Sequence, residues 1–187
     1  MSASPPSPAP LPLPGKTIAL VGLMGVGKSS VGKRLATALG LPFRDADNEV
    51  EAAAGCTIPQ IFEQFGEAGF RDGERRVISR LLDEPPHVLA TGGGAFANAE
   101  TRALIKEKAL SIWLKADLEV LARRVGRKDN RPLLTGKDPI AVLREQAETR
   151  YPAYAEADLT VETGDTPHAQ AVEAILAALR TRAEAAK

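Results

Sequence analysis

The residues whose chemistry is easiest to read are Gly22-Leu23-Met24-Gly25-Val26-Gly27-Lys28-Ser29, which fit the pattern GxxxxGK[ST] in full. Glycines at these positions let the chain turn tightly, so that successive N–H groups face a polyphosphate with no β-carbon in the way. The apolar run Thr17–Val21 precedes the loop and a helical pattern follows it, which is the context the motif needs. A helix starting there adds unpaired N–H groups and a dipole that favours anions. Nucleoside triphosphate contacts are therefore expected from Gly22, Gly25, Val26, Gly27, Lys28, Ser29 and Ser30. Lys28 is expected to reach the β- and γ-phosphates and the Ser29 hydroxyl to ligate Mg²⁺. Motors, GTPases and kinases share this grip, so it does not identify an acceptor.

Five further groups bear on the acceptor. Asp45 and Asp47 flank Ala46 at the end of a second short strand. One carboxylate is suited to hold Mg²⁺ through its water shell and the other to accept a hydrogen bond from a hydroxyl; an acidic turn capping the next helix has the same composition. Gly92-Gly93-Gly94 follows the strand pattern VLAT. Either a ligand approaches this backbone closely or the chain merely turns there. Arg71 stands in FRDGERR, where residue patterning does not separate it from Arg75 or Arg76, and a solvated charged face accounts for most such residues. The segment from Arg123 to Lys137 is basic, opposed only by Asp129, and reads as an arginine-bearing lid, a solubilising loop or a nucleic-acid contact. Arg150 and Tyr154, in RYPAY, follow a helical stretch from which they could return to the same crevice.

These groups need a scaffold, and its elements alternate. Strand patterns at 17–21, within LPFRDADNEV, at HVLATGGG, at Leu110–Leu114 and at DLTVE are short and apolar. Helical patterns separate them, including Ile58, Ile61, Phe62 and Phe65 at packed spacing, a break at Gly66, a second helix over 67–82, and a helix over 117–125 capped by Asp117. Strands without polar alternation, joined through helices, predict an α/β fold: a three-layer αβα arrangement around a five-stranded parallel sheet. Ligands of such sheets bind in the crevice at the strands' carboxyl ends.

Composition narrows the setting. Lys plus Arg and Asp plus Glu each number 24, so the chain offers no broad polycation for nucleic acid or an anionic membrane. One cysteine, Cys56, makes no internal disulfide, and no run approaches the length of a membrane span. A cytoplasmic protein with no nucleic-acid or membrane partner is expected. Residues 1–14, rich in proline and without a signal-peptide pattern, are expected to form a disordered tail. A single domain is expected over 15–182, followed by a short tail over 183–187.

In this order the pieces resemble the shikimate kinases. The resemblance runs from Lys16 to about Leu179 and rests on the phosphate loop, then DAD, then Gly55, Ile58, Ile61, Phe62, Gly66, Glu67, Phe70, Arg71 and Glu74, then GGG, RPLL and RxxxY. It implies the nucleoside-monophosphate-kinase type of P-loop fold, with a substrate-binding region at about 48–84 and a lid at about 124–137. It implies ATP as co-substrate, Mg²⁺ as cofactor, shikimate as the small-molecule partner, and transfer of the γ-phosphoryl to the shikimate 3-hydroxyl; a monomer is expected. Lys28, Asp47 and Arg131 are the catalytic residues it implies, with Asp47 the candidate base. Asp45 then lies near Mg²⁺ through water, and Arg71 and Arg150 hold the substrate carboxylate. Gly92, Gly93 and Gly94 hold shikimate through backbone, while Phe62, Phe70 and Pro132 shape its pocket. Arg124 and Pro167 fall on the adenine side. The lid sequence GRKDN before Arg131 departs from the family pattern. The rival readings are a gluconate or nucleoside-monophosphate kinase of the same fold and, in another class, a non-catalytic nucleotide-binding regulatory module.

Overall fold

In a computed structural model that describes residues 15–126 and 136–187, the elements run β1 (Thr17–Val21), α1 (Lys28–Leu39), β2 (Phe43–Asp45), α2 (Ala46–Ala54), α3 (Ile58–Leu82), β3 (Val88–Ala90), α4 (Ala99–Lys108), β4 (Ala109–Lys115), α5 (Leu118–Val125), α6 (Pro139–Tyr154), β5 (Leu159–Glu162) and α7 (His168–Ala185). The strands form one parallel sheet in the order β2-β3-β1-β4-β5. All five residues of β1 are buried, because β1 is central in the sheet and covered on both faces. Its Ile18 lies in register with Val88 of β3 and Leu110 of β4. The apolar runs read as strands are thus the inner layer of the expected three-layer architecture.

Right-handed crossovers decide which helix covers which face. The chain steps from β1 out to β2 through α1, then returns through α3, α4 and the α5–α6 pair in the opposite sense. Accordingly α1 packs with α7, whereas α3 packs on α4 and α5 on α6. The core between the layers is aliphatic. Leu20, Leu35, Ile78, Leu89, Ile112 and Leu121 are fully or almost fully buried, and cutting one such Leu to Ala costs about 2–5 kcal/mol. Trp113 is buried against Tyr151 and Tyr154.

Local signals explain most boundaries. Gly40 ends α1 in the left-handed conformation. Thr57 and Gln60 form a reciprocal capping box at the start of α3. Gly66 breaks α3 at φ 69° and ψ −177°, so α3 is two helices meeting at a kink, as expected on either side of that glycine. Three expectations need correction. Arg150 and Tyr154 do not follow a helix but lie within α6, which runs to Tyr154. Asp117 occupies the N-cap of α5 but makes no capping hydrogen bond through its side chain. β2 ends at Asp45 and α2 starts at Ala46, so Asp47, expected at the end of the strand, belongs to the first turn of α2. No described helix is long and apolar enough to cross a membrane.

Candidate active site

The phosphate loop leaves the central strand and enters α1, as the motif requires. Gly27 is the N-cap of α1 with φ 99°, a conformation open to glycine and strained for other residues. Gly22 is needed for space: a β-carbon there would stand 2.6 Å from the Leu114 carbonyl oxygen of β4. Lys28, the first residue of α1, folds its side chain back so that Nζ donates to the carbonyls of Gly22 (2.7 Å) and Leu23 (3.0 Å). The ammonium is thereby held over the loop whose N–H groups would bind phosphate.

Beside it, the Ser29 hydroxyl donates to Asp45 Oδ2 at 2.5 Å. The other oxygen of the same carboxylate accepts from the N–H groups of Asp47 (3.0 Å) and Asn48 (3.3 Å). Helix capping and a role beside the phosphate loop were competing readings of this aspartate. Asp45 does the first with one oxygen and presents the other to Ser29. Ser29 and Asp45 are hard oxygen donors side by side at the mouth of the loop, a donor set that suits Mg²⁺.

At the opposite end, the three glycines after β3 gather groups from three other elements. None of them has positive φ; what they supply is room. A β-carbon on Gly92 would meet Glu74 Oε2 at 2.7 Å and Asp47 Oδ1 at 2.9 Å. On Gly93 it would lie 3.3 Å from Arg150 Nη1, and on Gly94 it would run into the Arg71 guanidinium. Two carboxylates and two arginines from α2, α3 and α6 thus converge on one stretch of backbone. The geometry also separates Arg71 from its neighbours. Arg75 pairs with Asp72 and Glu100, and Arg76 points out toward Asp72 with three-quarters of its side chain exposed.

Arg71 is held from its own helix. Its Nη1 donates to Glu74 Oε1 at 2.9 Å, Glu67 lies 3.5 Å from Nη2, and the guanidinium sits 5.0 Å from the Phe70 ring centre. Phe70 in turn packs on Phe62, ring centres 4.9 Å apart. Burial drives the Glu74 carboxyl above the usual carboxylate range. Arg71 opposes that shift and the charge of Asp47 adds to it. Arg150 is steadied by Gln146, whose side-chain oxygen accepts from Nη1 at 3.2 Å.

The remaining predicted residues line the nucleotide side. Arg124 donates to the carbonyls of Gly25 (3.2 Å) and Val26 (3.5 Å), and through Nη2 to Gly164 (2.9 Å), so it ties the phosphate loop to the segment before α7. Its neighbour Arg123 faces outward to Asp165. Pro167 and Ser30 line the same crevice, whose volume is about 510 Å³ and which extends to Asp47 and Gly93. That size suits a small ligand. Arg131 and Pro132 lie outside the described residues. Residue patterning missed His168, whose ring packs on Gly27, and Gln146; the only signal for Gln146 was its place one turn before Arg150.

A phosphate loop at one end and a paired-arginine pocket at the other make a site for phosphoryl transfer to an acid. Comparison with known proteins gives the same answer. The shikimate kinase family model matches residues 24–180. The chain belongs to the shikimate kinase family. The match runs from inside the phosphate loop to α7 and so takes in both ends of the crevice. A shikimate kinase of Caulobacter vibrioides is 79% identical over 169 residues, which are 90% of this chain and 84% of that protein. One of Bradyrhizobium diazoefficiens is 55% identical over 180 residues, 96% of this chain and 87% of the relative. Among solved structures, the shikimate kinase of Acinetobacter baumannii in complex with shikimate superposes with a TM-score of 0.87 at 40% identity, covering 89% of this chain and 94% of that one. As a member of the family the protein is an ATP-dependent kinase acting on a small molecule.

Proposed function

We propose that the crevice transfers the γ-phosphoryl group of ATP to the 3-hydroxyl of shikimate, giving shikimate 3-phosphate and ADP. One observation carries the reading: Arg71 and Arg150, from different helices, converge with Asp47 on the glycine backbone at the phosphate loop's side of the sheet. Planar guanidinium forks fit a carboxylate bidentately, which accounts for two arginines facing one acid group. Asp47 then receives the hydroxyls at the other end of the ring. Phe62 and Phe70 give an otherwise polar pocket an apolar wall.

Each residue has a step. Lys28 exchanges its two backbone carbonyls for phosphate oxygens and neutralises charge on the migrating group. Gly92, Gly93 and Gly94 hold the acceptor by backbone, and Arg124 and Pro167 border the adenine. Asp47 orients the attacking hydroxyl and accepts its proton as transfer completes. Ser29 directly and Asp45 through water would hold Mg²⁺, which when bound screens the phosphate charges. Arg131 and Pro132 are assigned to the phosphates and to the acceptor pocket, respectively, by family resemblance.

The test is ADP release from Mg·ATP with and without shikimate, run beside gluconate and nucleoside monophosphates. Strong shikimate-dependent turnover is expected. Turnover on another acceptor, or ATP binding without turnover on any, would overturn the assignment.

A further inference from the structure

We propose that Tyr154 is a positioning residue for the acid-binding end of the crevice, its hydroxyl tying the carboxylate-binding Arg150 to the backbone of Gly93. The inference rests on the assignment of Arg150 to the substrate carboxylate.

Gln146, Arg150 and Tyr154 are spaced four apart on α6 and so share one face of the helix. Arg150 stands in the middle, with Nη1 donating to Gln146 on one side and the guanidinium within hydrogen-bonding reach of the Tyr154 oxygen on the other. The Tyr154 hydroxyl donates to the Gly93 carbonyl, and it is at Gly93 that the same Arg150 Nη1 makes its close approach. The three groups lie around one small ring: the tyrosine bonds the Gly93 carbonyl, Arg150 comes close to that glycine, and the arginine and tyrosine stand within reach of each other.

The surroundings make this ring stiff. Tyr154 has no exposed surface, and a buried hydroxyl must find partners inside the protein. Its ring packs at 5.6 Å from Trp113 and 6.2 Å from Tyr151, which block sideways movement. Burial also pushes the phenol up to about 12, against the opposing influence of Arg150, so the proton needed to donate to Gly93 stays in place at any working pH. An arginine side chain has many rotamers, and losing them on binding weakens affinity. Tyr154 and Gln146 remove that freedom before substrate arrives. Neither needs to touch substrate, so the effect belongs in substrate affinity and not in the transfer step.

Steady-state kinetics of Tyr154→Phe test this, because phenylalanine keeps the packed ring and deletes only the hydroxyl. The shikimate KM should rise about ten-fold while kcat and the ATP KM stay within about two-fold. In an Arg150→Ala background the same change should have no further effect on the shikimate KM. An unchanged shikimate KM in Tyr154→Phe, an equal rise in both KM values, or full additivity with Arg150→Ala would each overturn the proposal. Trp113, the sole tryptophan, reports through its emission whether the variant has repacked. Should it have done so, ring-fluorinated tyrosine at position 154 keeps the shape and alters only the hydroxyl. Fluorine makes the phenol a stronger donor to Gly93, so at a pH where it stays protonated the shikimate KM should fall selectively, and an unchanged or raised shikimate KM would sink the idea. Failure of the underlying assignment is seen separately, as wild-type protein that does not turn over shikimate.

Discussion

Glu74 binds Arg71 with one carboxylate oxygen, Oε1 to Nη1 at 2.9 Å, and keeps the other, Oε2, buried without a hydrogen-bond partner among the described residues. The two residues are one helical turn apart, so the contact is local, but its setting is not. Oε2 lies where α3 meets the Gly92 backbone, and Asp47 Oδ1 comes to the same side of that glycine. A carboxylate in such a place is poorly solvated and faces a like charge, and Arg71, with a smaller contribution from Arg150, opposes both.

The consequence is a pH dependence whose direction is fixed. Because burial raises the Glu74 value in the folded state, its contribution to stability is fully present below the usual carboxylate range and is lost as pH rises through the raised value. Glu74→Gln carries no such titration. The melting temperature of the variant minus that of wild type should therefore climb between about pH 4 and pH 8. A difference that stays flat across thermal unfolding curves at those pH values would show that Glu74 ionises as an ordinary glutamate.

Much of this site could be read before folding because its chemistry is local in sequence. The phosphate loop, the aspartates around Ala46 and the break at Gly66 depend on neighbours along the chain. What stayed closed depends on neighbours in space. Arg71, Arg75 and Arg76 carry the same charge on one helix, and only the rotation of α3 against the β3 loop turns Arg71 to Gly94 and Arg75 to Glu100. The glycine run gave no sign of whether it served a turn or close approach. The answer came from side chains on α2, α3 and α6, which no local pattern could supply. Asp45 was ambiguous for a different reason: its two oxygens perform both candidate roles.

Arg71 and Arg75 can be told apart by kinetics. On the proposed assignment Arg71→Ala removes one of two forks facing the substrate acid and should raise the shikimate KM about 100-fold, in line with the ~2–5 kcal/mol lost when a buried charged hydrogen bond is truncated. Arg75 makes partly exposed surface pairs. Arg75→Ala should leave both KM values within about two-fold and cost at most about 1 kcal/mol of stability in denaturant unfolding. Equal effects of the two substitutions would mean that the orientation of α3 described above is not the working one.

The glycines should rank in the order of what their β-carbons meet. At Gly94 an added methyl collides with the Arg71 guanidinium, whereas at Gly93 it lies 3.3 Å from Arg150 Nη1, a contact relieved by a small shift. Gly94→Ala should therefore raise the shikimate KM about as much as Arg71→Ala does, and Gly93→Ala by about ten-fold or less. Isothermal titration of each variant with shikimate checks the ranking directly, and a reversed order would contradict it.

On the proposed assignment Arg124 serves the other substrate. It joins the carbonyls of Gly25 and Val26 to that of Gly164, so losing it frees the phosphate loop from the segment leading to Pro167. Arg124→Ala should raise the ATP KM about ten-fold, as expected for ~1.5 kcal/mol from a charged hydrogen bond. The shikimate KM should barely move. Initial rates across a grid of both substrates separate the two, and a change confined to shikimate would refute the placement.

The two aspartates around Ala46 should fail in different ways. Asp45 shares its Oδ2 with the Ser29 hydroxyl and lies at the mouth of the phosphate loop, while Asp47 faces Gly92 at the acceptor end. Asp45→Asn keeps an oxygen for capping α2 but removes the charge that suits the site to Mg²⁺. Its half-saturating Mg²⁺ concentration should rise about ten-fold or more, and added Mg²⁺ should restore most of kcat. Asp47→Asn keeps a group able to contact a hydroxyl but can no longer take its proton. Its kcat should fall by about 10²–10⁴, the usual worth of a general base, at every Mg²⁺ concentration. Should kcat of Asp47→Asn stay near wild type, Asp47 only orients the acceptor, and transfer proceeds with the proton leaving late and to solvent. Should added Mg²⁺ rescue Asp47→Asn and not Asp45→Asn, the two carboxylates have exchanged roles relative to the assignment made from their positions.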